Sequence, residues 1–126
     1  MSEYVNFDTY YHGDIEYITE HNKLYRKVLA TTPNMQLVVM ALKAKEEIGF
    51  EVHPYITQFI RVESGEGVAI IGDTRYELYE GIAIIIPLNT QHNIINTSRK
   101  PLKLYTIYSP PNHAYNRVDI VKPDDD

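Results

Sequence analysis

Residues 49–59, GFEVHPYITQF, decide how this chain is read. Glu51 and His53 stand two apart, and Gln58 follows five residues after His53. Alternate side chains of extended backbone share a face, so Glu51 and His53 aim the same way. His92 comes much later, in IIIPLNTQHN. If these segments meet inside a β-barrel, a carboxylate, two imidazoles and an amide oxygen converge. Such O and N donors suit a divalent metal. The competing arrangement is a hydrogen-bonded polar cluster without metal. In that arrangement, however, a buried Glu is costly to ionise.

Outward from this stretch, short strand-like runs dominate. Strands are expected over 25–31, 35–44, 50–53, 58–63, 92–96 and 102–108. A hairpin is expected over 67–71 and 74–79, around Gly72-Asp73, a pair that tolerates positive φ. The apolar run 82–86 fits a strand buried on both faces. Gly65, Gly67, Gly72, Gly81, Pro87 and Pro110-Pro111 punctuate these runs. With no long amphipathic helix, the pattern implies an all-β sandwich or barrel. One domain spanning 1–126 is expected. Its barrel core covers about 25–113, with an irregular N-terminal arm over 1–22 and a C-terminal tail over 114–126 that ends in a frayed KPDDD.

Composition bounds the chemistry. The chain has 126 residues, is 44% hydrophobic and carries a formal net charge of −5. No basic patch of the kind nucleic-acid-binding domains show is present, so no nucleic-acid partner is expected. There is no cysteine, which leaves no thiolate nucleophile and no sulfur-ligated metal. No apolar run approaches the roughly 20 residues of a membrane helix, and no signal-like segment opens the sequence. No membrane partner is therefore expected, and the expected location is cytoplasmic. The Ser64-Gly-Glu-Gly67 segment lacks the Lys-Ser/Thr of a phosphate loop, and no nucleophile elbow occurs.

These motifs resemble the cupin superfamily. Its first motif reads Gly, five residues, His-x-His, three or four residues, Glu, six residues, Gly. Here Glu51 takes the first His position, His53 the second, Gln58 the Glu position and Gly65 the closing Gly, while Lys45 holds the leading Gly position. The second motif reads Gly, five residues, Pro-x-Gly, two residues, His, three residues, Asn. It is matched by Gly81, Pro87, Asn89, His92 and Asn96. The resemblance covers roughly residues 25–113 and implies a cupin jelly-roll β-barrel (double-stranded β-helix). It is closest to small single-domain cupins labelled mannose-6-phosphate isomerase-like, with EEIGFEVH, QFIRVESGEG and Pro110–His113 as the shared segments.

The resemblance implies a divalent metal (Zn, Mn, Fe or Ni) held by Glu51, His53, Gln58 and His92. Glu for His adds a negative charge and Gln for Glu removes one, so the net ligand charge resembles that of the usual three-histidine, one-glutamate set. Asn89 in place of Gly tolerates the left-handed region. Lys45 in place of Gly implies a different turn there.

A small-molecule ligand or substrate is the expected partner, with isomerisation of a sugar or sugar phosphate as the leading reaction. The alternatives are a metal-dependent oxygenase and a non-catalytic binding or structural cupin. Tyr55, Thr57, Tyr105 and His113 are the candidates for contact with the bound molecule. Tyr55 and Thr57 lie at the mouth, where capping the barrel is the competing role. In LKLYTIY, Tyr105 and Ile107 share one face and Thr106 and Tyr108 the other, and alternation leaves open which face lines the cavity. Asn96 is expected to stabilise a turn, and Arg61 and Glu63 to pair at a surface or between sheets. A homodimer is expected, with the strand from Tyr25 crossing to a partner.

Overall fold

The computed structural model describes residues 10–124. Among the described residues, nine strands follow one short helix, α1 (Ile15–His21). They are β1 (Arg26–Thr31), β2 (Gln36–Leu42), β3 (Thr57–Ser64), β4 (Gly67–Ile71), β5 (Thr74–Leu78), β6 (Ala83–Ile86), β7 (His92–Ile95), β8 (Leu102–Ser109) and β9 (Val118–Asp119). One sheet has six strands in the order β6-β3-β8-β2-β1-β9, and the other has three, β5-β4-β7. The strand pairings are antiparallel. This is the all-β jelly roll expected from the sequence. The described residues contain no helix long and apolar enough to cross a membrane.

Alternation explains the core. Along β3, burial switches residue by residue, with Gln58, Ile60 and Val62 inward and Thr57, Phe59 and Arg61 outward. The same period places Val38, Met40 and Leu42 of β2 and Leu104 of β8 inside. A buried aliphatic side chain contributes roughly 1.5–3 kcal/mol, so these inward rows supply much of the driving force. Gly72 (φ 60) occupies the two-residue turn between β4 and β5, as expected.

Four expectations need correction. The arm is not wholly irregular: Asp14 caps α1 by accepting from the Tyr17 N–H at 3.1 Å, and the helix packs against β8, β3 and β2. Seven residues are too few to show helical periodicity in a sequence; residues 1–9 lie outside the described part. Residues 50–53 form no strand. Gly49 is left-handed (φ 105) and Pro54 has no N–H, so the segment makes only an isolated bridge, from Glu51 to His92. The apolar run at β6 is not buried on both faces. This strand lies at a sheet edge, with Ile84 and Ile86 packed inward and Ile85 64% exposed. Residues 114–126 are not simply a tail, because β9 pairs with β1 and the Lys122 ammonium donates to the Glu47 carbonyl at 2.7 Å; residues 125–126 of KPDDD lie outside the described part. With β9 on one side and β2 on the other, both edges of β1 are taken within the chain.

The departures from the motif prove conservative in backbone terms. Lys45 (φ 66) and Asn89 (φ 61) both adopt the left-handed conformation that glycine would take. Lysine bears the strain and donates from Nζ to the Thr97 carbonyl at 2.6 Å.

Candidate metal centre

Without a strand of its own, the segment bearing Glu51 and His53 is held to β7 and to the turn before it by discrete bonds. Ile48 N–H donates to Ile94 O at 2.9 Å, and Asn89 N–H donates to His53 O at 2.7 Å. Buried Asn93 reinforces this from its side chain, accepting from Gly49 N–H at 2.8 Å and donating to Glu47 Oε1 at 2.9 Å. Asn93 is not among the residues that the motifs pick out. Its signal was a polar residue between His92 and an apolar pair.

The result brings Glu51, His53 and His92 together. Glu51 Oε1 lies 3.4 Å from His53 Nε2 and 3.8 Å from His92 Nε2. One ligand atom from each falls within 4.8 Å of the others. The two imidazole rings are 5.3 Å apart, centre to centre. His92 Nδ1–H donates to the Thr90 carbonyl at 2.9 Å, which leaves the Nε2 lone pair facing Glu51. Burial pushes the His92 pKa below the ordinary histidine value, against the opposing effects of the Thr90 carbonyl and Glu51. The neutral ring that a metal requires is thus favoured.

Gln58 enters from β3. It sits opposite Tyr108 of β8 in register, and the Tyr108 ring stands edge-on to His53 at 6.1 Å. Gln58 Nε2 donates to Thr106 Oγ1 at 3.0 Å, so Oε1 is the uncommitted atom of the amide. His53 Nε2, His92 Nε2 and Gln58 Oε1 are all buried, and none has a hydrogen-bond partner among the described residues. Three orphaned polar atoms are expensive in a barrel interior. Two of them, His53 Nε2 and His92 Nε2, stand beside the Glu51 carboxylate and would bind a cation there, so these three residues fit a divalent metal.

The other candidate contacts separate. Tyr55 is 81% exposed, in the turn before β3. Thr57 opens β3 opposite Ser109, on the face away from Gln58. Tyr105 does not line the barrel: it faces outward against Phe59, with ring centres 6.2 Å apart. Tyr108 takes the inward place, because strand alternation puts it with Thr106 and Gln58. His113 lies next to it, with rings 5.2 Å apart and nearly perpendicular. Burial, and secondarily the Glu51 carboxylate, push the Tyr108 phenol up, so it stays neutral with its hydroxyl near the Thr106 and Asn112 side chains. Asn96 serves the turn, donating to the carbonyls of Leu42, Lys43 and Lys100. A separate cavity of about 590 Å³, lined in part by Ser64, Arg99 and Lys100, opens at the other end of β3.

Residues 38–108 match the protein family described as Cupin domain. An uncharacterized protein of Acanthamoeba polyphaga mimivirus is 49% identical over 109 residues, covering 83% of this chain and 68% of that protein. The uncharacterized protein YrkC of Bacillus subtilis is 40% identical over 117 residues, covering 88% of this chain. The match spans only 63% of the length of YrkC. The crystal structure of BH2720 from Bacillus halodurans is similar at a TM-score of 0.87 and 38% identity, over 89% of each chain.

Proposed function

The chain belongs to the cupin family, and from that premise we propose that it is a metal-dependent enzyme acting on a small, oxygen-rich organic molecule, with isomerisation of a sugar or sugar phosphate as its reaction. Glu51, His53, Gln58 and His92 hold the ion. The carrying observation is the pair of buried, unpartnered nitrogens His53 Nε2 and His92 Nε2 gathered with the Glu51 carboxylate, with the uncommitted Gln58 Oε1 buried on β3. When bound, a divalent ion supplies Lewis acidity toward a carbonyl or paired hydroxyls. One carboxylate against three neutral donors leaves that acidity largely unquenched.

The chain's own residues do the rest. The Tyr108 ring, its phenol neutral, stands edge-on to His53. Asn112, whose Nδ2 lies 3.3 Å from His113 Nε2, adds polar groups beside Tyr108. These groups suit a hydroxyl-bearing ligand better than an apolar one.

The test is elemental analysis of untagged protein purified without added metal, with melting curves before and after chelator. It is followed by NMR of aldose and ketose phosphates in D2O with the loaded protein. Near-stoichiometric metal, a lower melting temperature after chelation and deuterium entry at the carbon next to the carbonyl support the reading. Metal with neither deuterium exchange nor interconversion of the aldose and ketose removes the isomerase. Neither metal uptake nor a response to added metal removes the site.

A further inference from the structure

Gln36 is fully buried, yet the inward positions that follow it on β2 are Val38, Met40 and Leu42. An amide among aliphatic side chains costs free energy unless its hydrogen-bonding capacity is used. Gln36 uses all of it, and mostly on one loop. Oε1 accepts from the backbone N–H groups of Asn112 at 3.1 Å and His113 at 2.9 Å. Nε2 donates to the His113 carbonyl at 2.8 Å and to Thr31 Oγ1 at 3.0 Å. Both backbone polar groups of His113 are therefore committed to one side chain.

The contacts run onward toward the metal centre. Gln36 sits opposite Tyr108 in the β2–β8 register, and Gln58 sits opposite Tyr108 on the other side. The Tyr108 ring is held between two others, His113 at 5.2 Å and His53 at 6.1 Å, both nearly perpendicular to it. Beside the His53 ring stand Glu51, His92 and Tyr108.

We propose that Gln36 is a positioning residue of the metal centre: by clamping Asn112 and His113 it fixes Tyr108, and Tyr108 fixes the direction of the His53 ring. The proposal rests on the metal reading above and deepens it. Supporting groups of this kind typically change metal affinity by about 10–100-fold.

The probe is Co(II), added to full-length apoprotein of the wild type and of Gln36→Leu, His113→Ala and the double variant. Affinity is read by competition with a chelator, the ligand field by the visible d–d bands, and the His53 ring by its 1H–15N correlations. Expected are roughly tenfold weaker Co(II) binding and shifted bands in each single variant, with the double variant no weaker than the worse single one. A purely structural Gln36 would lower the melting temperature while the bands and the His53 ring signals stayed at their wild-type positions, and that result overturns the proposal. If Gln36→Leu does not fold, His113→Ala decides, because it leaves the backbone bonds to Gln36 intact. If wild-type protein takes up no Co(II), the metal reading fails by itself. The His53 ring signals of the apoproteins then decide the positioning alone: moved by the variants, Gln36 orients the His53 ring without a metal; unmoved, that role falls as well.

Discussion

Glu51 and His92 exchange both of their backbone hydrogen bonds, at 2.9 and 3.0 Å, and their side chains meet on the same side, Oε1 to Nε2 at 3.8 Å. The bridge is isolated from any ladder. It orients two ligands by main-chain geometry, so side-chain substitutions should spare the local fold. His92→Ala should lose metal affinity by at least the hundredfold that supporting residues reach, while the apoprotein still unfolds cooperatively. Glu51→Gln, which keeps shape and removes charge, should weaken binding less. Competition titration with a chromogenic chelator measures both, and wild-type affinity in His92→Ala would dismiss the ligand set.

Lys45 occupies a left-handed conformation that glycine adopts freely. Relief of roughly 1–2 kcal/mol of strain exceeds the roughly 0.5–1 kcal/mol of glycine backbone entropy. Lys45→Gly should therefore stabilise by up to about 1 kcal/mol. Lys45→Ala is the control, since it also removes the bond to Thr97 but keeps the strain. Urea denaturation of both variants that finds glycine no better than alanine would refute the strain argument.

Glu63 is 4% exposed, with Arg61 Nη2 at 3.8 Å and the carboxylates of Glu16 and Glu20 close by. Burial, assisted by Glu16, Glu20 and Glu80 and opposed by Arg61, raises its pKa above 4.5. A raised folded-state pKa means the native protein holds this proton more tightly than the unfolded chain. The stabilising contribution is then complete below 4.5 and is lost as pH rises through the folded value. Glu63→Gln should accordingly melt higher than wild type at neutral pH, with the difference closing on acidification below 4.5. A pH-independent difference in melting temperature would show that Glu63 titrates normally.

Asn96 is fully buried and spends its amide N–H groups on three carbonyls, while Oδ1 accepts from Ser98. Asn96→Asp keeps the shape but turns those carbonyls toward a carboxylate. A loss of about 3 kcal/mol or more is expected at about one to three per orphaned group, measured by chemical denaturation. A loss below about 1 kcal/mol would mean that water replaces the amide there.

Much of this was legible in the residues themselves. Period-two alternation in β3 and β8, turn chemistry at Gly72-Asp73 and the spacings of Glu51, His53, Gln58 and His92 are local properties, and local chemistry determined them. Alternation also divided LKLYTIY into two faces. It could not say which was inside, because that depends on the side from which the second sheet covers the first. The tertiary structure put Tyr108 in the barrel and Tyr105 outside it. It likewise decided that Ile85 faces solvent, since edge position is set by strand order rather than by composition. Gln36 shows the limit most clearly. Its place as a polar residue in an apolar strand was visible from the start, but its partners Asn112 and His113 lie far along the chain, and only folding brings them within hydrogen-bond reach.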